Sequence, residues 1–375
     1  MKILALYLPQ FHTIPENDEW WGKGFTEWVN MKKAKALYNG HYQPRVPLDH
    51  DYYDLSNVNV MRKQTEIAKK YGIYGFCVYH YWFQGHKLLE KPMENYLEAK
   101  DIDFPYCFCW ANEHWTNAWV SGENKILIEQ DFTDKEDWKN HFYYFLSFFK
   151  DERYIKEDNK PFLVIYLPSI IETLNEMLEY WDILAKENGF AGMKYAYQHY
   201  VYYLDNDKDD SRFDYAIQFQ PNLAMNLIKT KRQAKIELLK TKLSIFLQTK
   251  LHIYLKLKQK EVTRIDYDAV WNKILEMKPV DKATIPGSFM DWDNTPRRGM
   301  RGSAMVGANP EKFEYYFDKQ ILHIKENYNT DKIIMFAWNE WAEGGYLEPD
   351  ERYEYRYLEA IKRVLDKHNE LPENE

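Results

Sequence analysis

Glu340 and Glu343 stand three positions apart in "FAWNEWAEGGYLEPD" (336–350), with Trp338, Asn339 and Trp341 around them, directly after the apolar run "IIMF". A strand that ends in carboxylates and indole rings suits a core poorly and acid–base chemistry well. Cleavage of a glycosidic bond uses two carboxyl groups at a set distance, one to protonate the leaving oxygen and one to act as base or nucleophile. The chain turns out of its strand here, so strict alternation lapses and both side chains can face one cavity. Two carboxylates held close push their pKa values apart, which supplies an acid and a base at neutral pH. Glu27 in "GFTEW", Glu113 in "NEHW", and Asp291 with Asp293 in "DWDNTPRR" extend the set. For any one of them an ion pair is the plainer role, and Arg297 and Arg298 stand near enough in sequence to supply it to the Asp pair.

Aromatic residues make up 17% of the chain, with 31 Tyr and 13 Trp, more than packing alone requires. Flat rings with a polar tip match a sugar, whose C–H face is apolar and whose edge carries hydroxyls; a ring-rich core is the alternative. The residues expected to line a saccharide cleft are Tyr79, His80, Trp82, Trp110, Asn112, Glu113, His114, His199, Gln218, Asp291, Arg297, Trp338 and Asn339. His12, Glu27 and Trp28 join them from the first loop, which at roughly forty residues is longer than a bare connection needs. A net charge of −8 and a pI near 5.8 exclude wholesale nucleic-acid binding, which demands a basic face. Cys77, Cys107 and Cys109 lie in apolar runs and read as free buried thiols of a reducing compartment. Cys107 and Cys109 lack a second close-spaced ligand pair, so no metal is expected, and the two-carboxylate chemistry requires no cofactor.

The elements that must position these residues show in the periodicity. Short apolar runs at 2–10, 73–82, 105–112, 161–168, 193–201, 215–221, 284–292 and 332–339 read as eight strands. Between most of them lie helix-period segments, such as "NVNVMRKQTEIAKKYG" closed by Gly72 and "DKEDWKNHFYYFLSFFK" opened by Asp134. Repeated βα units pair in parallel through right-handed crossovers, and a single-domain (β/α)8 barrel over 1–375 is the expected fold. An open doubly wound sheet is the competitor, but no glycine-rich nucleotide fingerprint follows an early strand. "HYWF", "WANEHW", "QHYVYY", "QFQPN", "DWDNTPRR" and "WNEWAEG" all fall at C-terminal strand ends, which a barrel gathers on its active face.

One segment departs from this pattern. Residues 226–264 carry eleven Lys or Arg against two Glu, a net of +9 that leaves −17 for the remainder. Ile236, Leu239, Leu243, Phe246 and Leu247 fall at helical spacing, so a basic amphipathic helical insertion after the sixth strand is expected. It reads either as helices packed on the barrel with a solvated lysine face or as peripheral contact with an anionic membrane. The N-terminal "MKILALYLPQFH" is too short for a secretory apolar region, and no stretch of about 18 apolar residues occurs. The expected location is cytoplasmic, including the inner membrane face.

"FAWNEWAEGGYLEP" resembles the segment that closes the barrel of glycoside hydrolase family 99, the endo-α-1,2-mannosidases and mannanases. With "ALYLPQFH", "WWGKGFTEWVN", "GHYQPRVPLD", "GIYGFCVYHYWF", "WANEHWT" and "SFMDWDNTPRR", the whole chain is similar to their bacterial relatives, the glycosyltransferase WbsX-like proteins. The resemblance implies a barrel in which Glu340 deprotonates a sugar 2-hydroxyl to give a 1,2-anhydro sugar, while Glu343 protonates the departing oxygen. Ala342 stands where the hydrolases typically carry His, which loosens the link to mannose but not to the carboxylate pair. The implied function is a glycoside hydrolase acting on a bacterial surface polysaccharide or its precursor. A glycosyltransferase of O-antigen or capsular polysaccharide assembly and a non-catalytic sugar-binding barrel are the alternatives.

Overall fold

Eight strands, each followed or preceded by amphipathic helix, close on themselves in this protein, whose computed structural model describes residues 1–117, 125–199, 210–229, 261–280 and 283–372. The strands are β1 (Lys2–Tyr7), β2 (Gly75–Phe83), β3 (Tyr106–Trp110), β4 (Lys160–Ile165), β5 (Lys194–His199), β6 (Tyr215–Gln218), β7 (Ala283–Ile285, resuming after Pro286 as Gly287–Phe289) and β8 (Lys332–Phe336). Pairing is parallel and runs β6–β5–β4–β3–β2–β1–β8.

The seventh strand closes the ring by dividing its partners. Its first half pairs with β6, with Ile217 opposite Ile285, and its second half with β8, with Phe336 opposite Phe289. Pro286 has no N–H to give a ladder, yet its carbonyl accepts from Ile334 N at 3.0 Å. Gly287 is required by proximity: a Cβ there would lie 2.0 Å from the Gln218 carbonyl oxygen of β6. The result is the (β/α)8 barrel that the alternating pattern predicts.

Helices cover the barrel with the faces their spacing implies. The helix Val58–Lys70 buries Met61, Thr65 and Ala68, opens where Asn57 accepts from Asn59 N, and gives way to Gly72 at φ +86°. The helix Lys135–Phe149 opens with Asp134 accepting from Glu136 N and buries Phe142, Phe145, Leu146 and Phe149 against the barrel. Each such side chain contributes roughly 1.5–3 kcal/mol by burial, so this one face outweighs any propensity effect within the helix.

Most of the basic segment, 230–260, lies outside the described residues. Its flanks do not: the short helix Asn222–Leu227 precedes it and the strand Thr263–Asp266 follows it. That strand pairs in parallel with Ser303–Val306, whose Met305 N in turn donates to Trp292 O at 2.8 Å, forming a small side sheet at the barrel mouth. Among the described residues no helix is long and apolar enough to cross a membrane.

Candidate active site

Strand parity decides which side chains reach the barrel axis. On β2, Cys77, Tyr79 and Tyr81 share one face, and register places Cys107 and Cys109 of β3 beside the first two of them. That inward file runs out at the C-terminal mouth, where Leu8, Gln10, Tyr79, Tyr81, Ala111, Glu113, Tyr166, Phe219 and Phe336 wall a cavity of about 900 Å³. The first loop contributes Asn17, Trp21, Phe25 and Glu27, and Trp115, Trp292, Arg297, Glu340 and Glu343 complete this part of the wall. The two glutamates, Glu27, Tyr79, Glu113, His114 and Arg297 therefore meet at one cavity, as their sequence positions lead one to expect.

Arg297 organises the carboxylates. Its Nη2 lies 3.0 Å from Glu340 Oε1 and 3.2 Å from Glu27 Oε2, and its Nη1 lies 3.1 Å from Glu343 Oε1. Glu340 and Glu343 thus converge on one guanidinium, although β8 has already ended at Phe336. The turn that makes this possible is the 3-10 segment Trp341–Glu343, followed by Gly344 in the left-handed conformation at φ +65°. A Cβ at Gly344 would also come within 3.0 Å of Arg45 and Asp293. Trp292 Nε1 donates to Glu343 Oε2 at 3.2 Å from the opposite side.

Three carboxylates share one cation. Burial raises the pKa of Glu340, Arg297 opposes that shift, and the negative charges of Glu343 and Glu27 add to it. Burial likewise raises Glu113 above the ordinary carboxyl range. A carboxylate with a raised pKa is a stronger base once ionised, the property needed to pull a proton from a sugar hydroxyl.

Asp291 and Asp293 serve the scaffold, which corrects the expectation that Asp291 lines the cleft. Arg45 Nη2 bonds Asp291 Oδ2 at 2.8 Å, while Asp293 Oδ2 receives His41 Nε2 and Gln43 Nε2, each at 2.8 Å. Arg45 also donates to the Gly344 carbonyl at 3.0 Å, and Asp293 N donates to Glu343 O. The block "GHYQPR" therefore clamps the β7 and β8 loops together and fixes the turn that carries Glu343. The guanidinium that sequence proximity offered to this pair, Arg297, is held by the glutamates instead.

Other expected cleft residues lie off it, and for His80, Trp82, Trp110, Asn112 and Gln218 the reason is strand parity. His80 and Trp82 face the helix Lys135–Phe149, where His80 Nε2 lies 2.9 Å from His141 Nε2 and Trp82 stacks on His141 at 4.6 Å. Burial lowers the His80 pKa to about 3, so its ring is neutral. Trp110 packs on His141 and Trp181. Asn112 exchanges two 2.8 Å bonds with the Leu167 backbone, and Gln218 bonds Tyr328 Oη and Lys278 O. Asn339 bridges Leu8 N and O at 2.8 and 3.0 Å, tying the β8 exit to the β1 exit. Trp338 is buried against Phe76, and Trp28 packs on Phe11, Tyr53 and Trp341 behind the glutamate turn. His12 is buried off the cavity. His199 ends β5, and its side chain lies outside the described residues.

Sequence reasoning missed Gln10, Asn17, Tyr81, Trp115, Tyr166 and Trp292. Gln10, Tyr81, Trp115 and Trp292 were present in the quoted motifs, and counting alternate residues from Tyr79 would have found Tyr81. Gln10 Nε2 donates to Tyr81 Oη at 2.7 Å, which sets two of these side chains together on the wall.

A (β/α)8 barrel with an aromatic-lined cavity at the C-terminal mouth and paired glutamates leaving its last strand has the architecture of glycosyl-processing enzymes. Residues 3–361 match the family model described as glycosyltransferase WbsX, and the chain belongs to that family. Two proteins of Xanthomonas campestris pv. campestris, each named uncharacterized protein WxcX, are 33% and 34% identical to it over 372 residues, 97% of this chain. This chain spans about half the length of those relatives, 49% in each case. Among solved structures, a GH99 endo-α-mannosidase from Bacteroides thetaiotaomicron superposes with TM-score 0.55 at 14% identity, covering 98% of both chains. A glycoside hydrolase-like protein superposes with TM-score 0.56 at 12% identity over 97% of this chain and 93% of its own. These two likenesses show the fold.

Proposed function

We propose that this protein acts on glycosidic bonds of a bacterial surface polysaccharide or its precursor, with Glu340 as base and Glu343 as acid. The observation that carries this reading is the convergence of both carboxyls on Arg297 at the wall of an aromatic-lined cavity. Glu340 takes the proton of the sugar 2-hydroxyl, and the freed oxygen attacks the anomeric carbon. The glycosidic C–O bond breaks as Glu343 gives its proton to the leaving oxygen. Water then opens the 1,2-anhydro ring at the anomeric carbon, returning a proton to Glu343, while the 2-oxygen recovers its proton from Glu340. Burial makes Glu340 a stronger base once ionised but also favours its neutral form, so the first step draws on the ionised fraction that Arg297 stabilises.

Transfer to a sugar hydroxyl in place of water uses the same groups. The family's description as a glycosyltransferase and a cavity of about 900 Å³, room for more than one sugar ring, favour this second reading. Incubation with α-linked oligosaccharides and lipid-linked glycans, read by mass spectrometry, tests both: shortened glycans mark hydrolysis and lengthened ones transfer. Glu343→Gln is expected to lose most turnover while saccharide binding, followed by calorimetry, persists. Full turnover in that variant would remove Glu343 from the mechanism, and binding with no product in the wild type would leave a sugar-binding barrel.

A further inference from the structure

The cavity wall carries both signs of charge: Glu27, Glu113, Glu340 and Glu343 line it, and so do Arg264 and Arg298, together with Asn294 and Ser303. Arginines elsewhere are generally met by carboxylates: Arg45 by Asp291, Arg62 by Asp101, Arg153 by Asp151 and Arg363 by Glu314. Arg264 and Arg298, like Arg301 and Arg352, have no carboxylate within ion-pair distance among the described residues, and of these four only Arg264 and Arg298 line the cavity. Asp266 lies on the same wall, but its carboxylate is engaged as the cap of the helix Tyr267–Glu276, accepting from Ala269 N at 3.1 Å.

Both arginines stand on regular backbone elements. Arg264 is on the strand Thr263–Asp266, and its guanidinium rests 5.6 Å from the centre of the Tyr38 ring, which itself stacks on His41 at 4.3 Å. Arg298 ends the short helix Thr295–Arg298, directly after the Arg297 that grips the glutamates. The side sheet joins the two segments: Thr263 N donates to Gly302 O, and Asn294 and Ser303 exchange bonds through Asn294 N to Ser303 O and Ser303 N to Asn294 Oδ1.

We propose that Arg264 and Arg298 form an anion subsite that receives a phosphate or carboxylate group of the substrate and so orients the glycan in the cavity. Guanidinium forks bind both groups in bidentate fashion, and two of them without a protein counterion leave that geometry available. The glutamates repel the same group, so an anionic glycan is oriented with its charged substituent at the two arginines and its scissile bond toward Glu340 and Glu343. Asn226 and Thr263 line the same cavity. The identification of the ligand as a glycan rests on the function proposed above; the binding of the anion does not, because it is measured without turnover.

The test is calorimetric titration of the full chain with pyrophosphate and, separately, glucuronate, with glucose as the neutral control. The Arg264→Ala/Arg298→Ala double variant is compared with wild type and with Arg352→Ala, an exposed arginine that rests on the Tyr42 and Tyr353 rings outside the cavity wall. At least one anion should bind wild type and Arg352→Ala equally and bind the double variant about tenfold or more weakly. Selective loss of pyrophosphate identifies a phosphate-linked carrier as the source of the charge, and selective loss of glucuronate an acidic sugar. Binding of neither anion by wild type, undiminished binding by the double variant, or an equal loss in Arg352→Ala overturns the subsite. Both arginines are exposed, so the double variant is expected to keep the wild-type unfolding midpoint.

Discussion

Arg297 Nη2 and Glu340 Oε1 are 3.0 Å apart in a site from which solvent is largely excluded, with side chains 8% exposed on both sides. The contact opposes what burial does to Glu340. Desolvation favours the neutral acid, and the charges of Glu343 and Glu27 push the same way, whereas the guanidinium favours the carboxylate. A guanidinium does not lose its proton near neutrality, so this counterweight is present at every working pH. Arg297 thus lowers the pH at which Glu340 ionises, and its second nitrogen contacts Glu343.

Arg297→Met is therefore expected to lower kcat/KM by roughly a hundredfold or more and to move the acidic limb of the pH–rate profile upward, because Glu340 then ionises only at higher pH. Arg297→Lys restores a charge but cannot span both carboxyls, so the limb should return part of the way while kcat stays low. The profile is measured on whatever glycan the oligosaccharide panel identifies. An acidic limb that stays put in the Met variant would show that Arg297 does not control the base.

Glu348 gives a pH effect on stability that is independent of activity. It is buried behind the glutamate turn and accepts from Trp341 Nε1 at 2.6 Å, Tyr53 Oη at 2.7 Å and Gln64 Nε2 at 2.6 Å. Burial lifts its pKa from 4.5 to about 7 despite those donors. Between these two values the folded chain holds a proton that the unfolded chain has released. The folded state is therefore favoured below that window, and the advantage is lost as pH rises through about 7. Glu348→Gln cannot titrate, and its amide can meet the same neighbours if Gln64 turns its own amide and the Tyr7 hydroxyl rotates. Urea unfolding from pH 5 to 8 should show wild type losing up to about 3 kcal/mol relative to the variant. Parallel curves would mean that Glu348 is ionised throughout.

The barrel was legible because each strand is an apolar run too short for a helix and bounded by helix-period segments. What could not be read was the division of β7 at Pro286, since "TIPGSFMDW" is continuous in hydrophobicity and only the pairing shows that its halves serve different neighbours. The carboxylate pair was legible because its spacing and aromatic setting are unusual in a core. Asp291 was misread because its partner, Arg45, lies far away in sequence, while Arg297 and Arg298 lie close. Proximity along the chain is a poor guide when loops of a barrel converge from all its strands. The cleft wall was half legible: the right segments were chosen, but residues within them were selected for chemical interest without regard to parity.

Parity makes the sharpest contrast between Tyr81 and Trp82, adjacent residues of β2 that face opposite ways. Tyr81 lines the cavity, bonded to Gln10 and edge-on to Trp115 at 5.1 Å. Trp82 faces the helix layer, donating to Asp137 Oδ1 at 3.0 Å and stacked on His141. Tyr81→Phe keeps the ring and removes one hydroxyl from the wall, so glycan affinity should fall about fivefold, the worth of one net hydrogen bond, with the unfolding free energy nearly unchanged. Trp82→Phe loses the indole N–H and part of the stack, costing about 1–3 kcal/mol of stability while KM stays at its wild-type value. The pair is informative because both substitutions are conservative aromatics in one strand, so a general disturbance of β2 would affect them alike. An affinity loss in Trp82→Phe without a stability loss, or the converse in Tyr81→Phe, would mean that the strand presents its other face to the substrate, and with it that the cavity wall has been assigned to the wrong residues.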